Sequence, residues 1–286
     1  MGLDAQLDRD EVLALIRTAL HEDLRYGPDI TSAATVPDDA VTKAAVISRK
    51  PGTVAGIDVG LLVFDEVIGP GNYEVLDRLA DGTRVAARES VLTVQASARA
   101  LLTAERTMLN IVCHLSGIAT ATAQWVDAVS GTQCRIRDTR KTLPGLRALE
   151  KYAVRMGGGV NHRMGLGDAA LIKDNHIVAA GSVVAALRAV RAVDPDIPCE
   201  VEVDRLEQLD AILAENVELV LLDNMPLWMT QAAVQRRNAI APQTKLESSG
   251  GLTLDVAADY ASTGVDYLAV GALTHSVQVL DLGLDL

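Results

Sequence analysis

Five cations, Arg135, Arg137, Arg140, Lys141 and Arg147, crowd around Asp138 in the stretch RIRDTRKTLPGLR, residues 135–147 of a chain whose formal net charge is −12. Like charges this close repel one another unless anions fill the space between them. Arginine adds a planar fork of donors that suits carboxylates and phosphates. Arg163 and Lys173 join the set if the first two strands of the second half are neighbours. A surface pairing with Asp138, Glu150 or Asp174 is the more ordinary explanation of any one of these cations, but the set at strand ends favours anion binding.

Two glycine turns offer a place for phosphate. SSGG (248–251) and VGALTHS (270–276) are small-residue stretches that let backbone N–H groups approach a ligand oxygen, and a helix starting near Leu254 adds its positive end. Glu202 and Asp223 supply acids at successive strand ends. Such acids can orient ribose hydroxyls, hold a divalent ion through water or stabilise a developing positive charge. Beside a phosphate site they point to sugar-phosphate chemistry, with Mg2+ carried by the phosphates. His162, His176 and His275 fall in the same loops without a proton-transfer role being assigned, whereas His21 and His114 belong to helices as packed or surface residues.

These residues need elements that bring them together. In the first part, Val12, Leu13, Ile16 and Leu20 recur at helical spacing from Arg9 to His21. Strand-like VTKAAVIS and RVAARESVLTVQA follow, with turns at Pro51-Gly52 and Asp81-Gly82, and residues 97–116 then read as a helix. Beyond about residue 130 the rhythm changes. The short apolar runs CRIRD, AALIK, CEVEV, ELVLLD, TKLESS and DYLAV alternate with helical stretches, which predicts right-handed βαβ units and a parallel sheet. A closed barrel suits six strands with room for one more better than an open sheet does, although periodicity leaves both open. The ends of these runs carry Arg137 to Lys141, Lys173 to His176, Glu202 and Asp204, Asp223 and Asn224, Ser248 to Gly251, and Gly271. In a β/α barrel such ends converge on one face, so one shared pocket is expected.

At 286 residues and 30.3 kDa the chain can hold one large domain or two. A pI near 4.8 argues against a broad nucleic-acid or anionic-membrane surface. Cys113, Cys134 and Cys199 lack metal-ligand spacing and read as reduced core residues. The acidic start MGLDAQLDRDEV has no signal-peptide pattern, and no apolar run reaches the ~18 residues of a membrane span. A cytoplasmic location is expected.

The runs RIRDTRKTLPGLRALEKYAVRMGGGVNHRMGLGDAALIKDNHI, EVEVD, LLDNM, ESSGGLT and VGALTHS, with LLTAERTMLNIVCHLSGIAT and GPDITSAATVP upstream, resemble the quinolinate phosphoribosyltransferase family over nearly the whole chain. The resemblance implies an α/β protein with an N-terminal α/β sandwich domain (1–115), an incomplete seven-stranded β/α barrel (116–275) and a C-terminal tail (276–286) returning to the first domain. It implies a homodimer in which Arg106 of one subunit completes the other's pocket. Residue by residue, it assigns Arg106, Thr139, Arg140, Lys141, His162, Arg163 and Lys173 to quinolinate, and Glu202, Asp223, Ser249, Gly250, Gly251, Gly271, Ala272 and His275 to the phosphoribosyl group and its phosphates. Lys141, Glu202 and Asp223 are the implied catalytic residues. Mg2+ is held mainly by the substrate phosphates, with water bridges to Glu202 and Asp223. The implied reaction joins quinolinate to phosphoribosyl pyrophosphate, giving nicotinate mononucleotide, pyrophosphate and CO2 in NAD biosynthesis. Three other readings stay open: a nicotinate-type transferase binding a single carboxylate, the molybdenum-transport-linked homologue of this fold, and a non-catalytic sugar-phosphate-binding regulator.

Overall fold

The computed structural model describes residues 3–286, so the first two residues of the expected 1–115 domain lie outside the described residues. Its contacts divide the chain into two compact units, the first made of residues up to 123, 143–158 and 276–286, the second of 124–142 and 159–275.

The first unit begins with α1 (Arg9–Leu24), where the Asp8 carboxylate accepts the free amides of Asp10 and Glu11 and the stripe Val12, Ile16 and Leu20 is buried. After α2 (Ile30–Thr35) come β1 (Val41–Ser48), β2 (Gly52–Thr53), α3 (Ile57–Ile68), β3 (Glu74–Arg78), β4 (Arg84–Val85), β5 (Ser90–Ser97) and α4 (Ala98–Ala128). Strands β1, β5 and β3 form an antiparallel sheet, and β2 pairs with β4. The outer edge of β1 is covered by the end of the chain, β12 (Leu282–Asp285), which pairs antiparallel from Ala45 opposite Asp285 to Ser48 opposite Leu282.

Helix α4 runs twelve residues past the expected end at 116. Gly117 does not stop it, because the missing side chain there admits other backbone. A Cβ at 117 would lie 2.3 Å from the Gln278 carbonyl oxygen, and Leu280 donates its amide to Cys113.

The segment 143–158, inside the expected 116–275 range, groups with the first unit. Its helix α5 (Arg147–Met156) buries Leu149, Tyr152, Ala153 and Val154. The Tyr152 hydroxyl donates to Asp81, whose carboxylate also accepts the Gly56 and Ile57 amides at the start of α3.

The second unit is a parallel sheet built from β6 (Arg135–Arg137), β7 (Ala170–Ile172), β8 (Cys199–Val203), β9 (Leu219–Asp223), β10 (Lys245–Ser249) and β11 (Tyr267–Ala269), one from each of the six runs read in the sequence. Their order is β6-β11-β10-β9-β8-β7. A parallel bridge between Arg137 and Val160 adds a seventh, one-residue position beside β6, so the incomplete barrel opens between Val160 and β7. Helices α6 (Asp174–Ala180) and α7 (Val183–Val193) follow β7, α8 (Leu206–Leu213) follows β8, α9 (Leu227–Ile240) follows β9, α10 (Ala257–Ser262) follows β10, and α11 (Ala272–His275) follows β11. Ile136, Ile172, Val201, Val203, Val220, Leu222, Leu246 and Leu268 form the apolar part of this core. The first two strands are not neighbours, contrary to the premise on which the cations were grouped. They lie at opposite ends of the hydrogen-bonded order, and the curl of the sheet brings their loops together.

Candidate active site

At the C-terminal ends of these strands lies a cavity of about 760 Å³, lined entirely by the second unit. The basic run divides on reaching it. Arg140 and Lys141 line the cavity, whereas Arg135 is exposed on β6 and Arg147 opens α5 in the first unit. Arg137 turns inward instead. Its guanidinium meets Glu247 at 2.7 Å and stacks 4.9 Å from the centre of the Tyr267 ring.

The loop after β6 is fixed from both sides. Thr139 Oγ1 accepts the Lys141 amide at 3.0 Å, and the Lys141 carbonyl accepts the Thr274 hydroxyl from α11 at 2.7 Å. A Cβ at Gly271 would lie 2.8 Å from Lys141 Cδ, so the lysine stem lies across the last turn. Thr139, Ala272 and His275 complete this side of the lining.

His162 and Arg163 arrive from the segment beside Val160. The fully buried Asp138 accepts the His162 amide at 2.8 Å and the Asn161 side chain at 2.5 Å, which locks the NHR turn onto β6. Arg163 donates to the Ala169 carbonyl at 2.8 Å. The Nε donors of both Arg140 and Arg163 are buried without a hydrogen-bond partner in the protein. Burial, helped by the Arg140 charge, pushes the Arg163 guanidinium below its usual range. Two half-buried cations with buried, unused Nε donors form a wall ready for an anion.

Opposite them, Glu202 and Asp223 end β8 and β9. Lys173 reaches to 3.4 Å from Glu202, whose carboxyl is held above the usual carboxylate range chiefly by burial, with Asp223 adding to the effect against the lowering pull of Lys173. His176 is absorbed locally, since its Nδ1 accepts the Lys173 amide at the start of α6.

The glycine turn after β10 has two jobs. Gly250, at φ +99°, leaves room for a protein neighbour, because a Cβ there would sit 2.3 Å from Asn224 Oδ1. Gly251, at φ +61°, has open space around it and lines the cavity with Ser249. The expected helix near Leu254 begins there as a 3₁₀ turn (Leu254–Val256) that continues directly into α10 at Ala257.

Beneath the wall lies a group that the sequence reading missed. His162 Nε2 is 2.5 Å from Glu200 Oε2, and ligating atoms of His162, Glu200 and Glu247 all lie within 4.8 Å of one another. Burial pushes both glutamates up to about 7, while the charge of Arg137 pulls both back down. Arg137 already serves as the cation of this buried set. The alternation CEVEV was the available signal, since residues 200 and 202 share one face of β8.

Every residue that the family resemblance assigned to the site lines this one cavity except Arg106. Arg106 sits on α4 in the first unit with its side chain 65% exposed, 3.9 Å from Glu105. Glu247 and Leu221 join the lining without having been singled out, and Asn224, read from the sequence only as a strand-end residue, lines it too.

Comparison with known proteins accounts for both parts of the chain. Residues 29–116 match the family model described as quinolinate phosphoribosyl transferase, N-terminal domain, and residues 118–285 match its C-terminal domain. The chain is 70% identical to the nicotinate-nucleotide pyrophosphorylase [carboxylating] of Mycobacterium leprae over 271 residues, 95% of each chain. It is 36% identical to the chloroplastic protein of the same name from Arabidopsis thaliana, covering 96% of this chain and 82% of that one. The solved nicotinate-nucleotide pyrophosphorylase of Francisella tularensis superposes with a TM-score of 0.92 at 36% identity, covering 99% of both chains.

Proposed function

The chain belongs to the quinolinate phosphoribosyltransferase family, and we propose how its barrel cavity carries out that family's reaction. Quinolinate and phosphoribosyl pyrophosphate are converted to nicotinate mononucleotide, pyrophosphate and CO2, a step of NAD biosynthesis. The observation that carries the site reading is the pair of buried, unpartnered Nε donors of Arg140 and Arg163 in one cavity that Glu202 and Asp223 also line.

Arg140, Lys141, His162, Arg163 and Lys173 hold the two carboxylates of quinolinate, with Thr139 fixing the loop that carries them. Ser249, Gly250, Gly251, Gly271, Ala272 and His275 surround the ribose phosphate. The pyridine nitrogen then attacks C1 of the ribose as the C1–O bond to pyrophosphate breaks. Glu202 and Asp223 stabilise the positive charge that develops on the sugar, and Lys141 stabilises the negative charge leaving with pyrophosphate. The rate gain is positional and electrostatic, because these groups are already fixed and partly desolvated. The alkylated nitrogen carries a positive charge, so the adjacent C2 carboxylate leaves as CO2. The electron pair left at C2 is stabilised by that charge and takes up a proton.

The two carboxylates are hard oxygen donors suited to Mg2+ through water, with most of its coordination coming from substrate phosphates. When bound, the ion neutralises charge on the leaving pyrophosphate. A cytoplasmic location goes with this reading: among the described residues no single helix is long and apolar enough to cross a membrane. Recovery of the activity with cell membranes would overturn that assignment.

Arg106 completes the pocket of a second subunit in a homodimer, a reading supported by its exposure on α4. Mixing Arg106→Ala and Lys173→Ala proteins should then restore part of the lost activity through one intact pocket per mixed dimer. Subunit exchange without recovery would remove the shared site.

The direct test offers phosphoribosyl pyrophosphate and Mg2+ with quinolinate or with nicotinate, following mononucleotide and CO2. Equal CO2 and nicotinate mononucleotide from quinolinate alone is expected. Turnover of nicotinate would replace the two-carboxylate wall with a single-carboxylate one.

A further inference from the structure

Asn224 stands between the acid at the end of β9 and the glycine turn after β10. It is one of only three non-glycine residues with positive φ among the described residues, at 51°. Its amide N–H donates to the Ser249 carbonyl at 2.9 Å, which ties its backbone to the end of β10. Its Nδ2 donates to Asp223 Oδ2 at 2.9 Å, and its Oδ1 occupies the space that a side chain at Gly250 would need. One residue thus touches the acid with one end of its amide and the turn with the other, and it lines the cavity itself.

A left-handed backbone is open to asparagine, aspartate and glycine at modest cost, which narrows the choice of residue but does not explain a side-chain amide. Aspartate would set a second negative charge against Asp223, and glycine would contact neither neighbour. Only an amide offers a donor to the carboxylate together with a neutral oxygen above Gly250.

We propose that Asn224 is a positioning residue that fixes the Asp223 carboxylate to the Ser249–Gly251 turn, so that the groups meeting the ribose and its phosphate are held at a set spacing. The inference rests on the functional reading above and deepens it. Asn224 acts on phosphoribosyl pyrophosphate through Asp223 and the turn, and has no role in holding quinolinate, whose wall is built from the loops after β6, Val160 and β7. Gly250 needs its glycine for a φ of +99° as well as for this contact, and it lines the cavity together with Gly251.

The test measures binding directly, so that it does not depend on turnover. Calorimetry with phosphoribosyl pyrophosphate and Mg2+, and separately with quinolinate, compares the unaltered protein with Asn224→Gly, which keeps the backbone conformation and removes both side-chain contacts. Phosphoribosyl pyrophosphate binding should weaken about tenfold while quinolinate binding stays within twofold. Asn224→Asp, which keeps the shape and loses the donor, should show the same selective loss, and it serves if the glycine variant melts early. Unchanged phosphoribosyl pyrophosphate binding in either folded variant would reduce Asn224 to a turn former, and equal weakening for both ligands would make its role general packing. If the unaltered protein binds phosphoribosyl pyrophosphate but makes no nicotinate mononucleotide from quinolinate, the functional reading fails while the comparison still decides the role of Asn224.

Discussion

Strands β1 and β8 both alternate two kinds of side chain, and the alternation means different things in the two units. In β1, Ala44, Val46 and Ser48 are buried while Val41 and Lys43 are exposed, the pattern of an antiparallel sheet with one face packed. In β8, Val201 and Val203 occupy one face of the strand, whereas Glu200 and Glu202 share the other, inside the barrel. Both faces of β8 are enclosed, so its alternation separates an apolar shell from a charged interior. The first sheet uses burial to hold a shape. The second uses it to raise the energy of charges until they act strongly on one another.

The largest expected contrast comes from breaking the interior pair. At pH 8, Arg137→Ala leaves the charged Glu247 and Glu200 buried without their cation, and should cost about 3–5 kcal/mol of stability together with activity. Chemical denaturation that shows a loss below about 1 kcal/mol would mean that the acids are protonated and need no partner. Val46→Ala in β1 removes two buried methyl groups and should cost roughly 1.5 kcal/mol with turnover unchanged at temperatures where the protein stays folded. A fall in kcat at full folding would show that the sheet does more than hold shape.

The smallest effect concerns pH. Glu200 and Glu247, pushed up to about 7 by burial, gain negative charge between pH 6 and pH 8. Their negative charge beneath the basic wall opposes a dianion, so KM for quinolinate should rise several-fold over that interval, with a smaller rise in Glu247→Gln. A profile that is flat, or identical in the two proteins, would separate the buried acids from substrate binding. The same raised values favour the folded state most fully at low pH. That contribution is present below the ordinary carboxylate range and is lost as pH rises through about 7.

The strands of the barrel and the residues at their ends were legible because each run is short, apolar and followed by polar residues that only a shared pocket explains. Lys141, Lys173, Glu202 and Asp223 could be placed this way. Arg137 could not be placed, since its partner Glu247 is 110 residues away in sequence and its turn inward depends on strand order. The grouping of 143–158 with the first unit escaped for a similar reason, because the contact of Tyr152 with Asp81 spans 71 residues. The helix read over 97–116 runs on through Gly117, whose missing side chain admits the Gln278 backbone, and Gly250 both lines the cavity and lies against Asn224. Glycine marks a need for space, and the sequence does not say what fills it.

The pairing of β12 with β1 also sets an order in time. Strand β1 lies near the start of the chain and β12 comprises residues 282–285, so the outer edge of the first sheet stays open throughout synthesis of the barrel. An open edge invites pairing with other chains. The growing protein must therefore keep that edge unpaired while every barrel strand is made, until residues 282–285 arrive to close it.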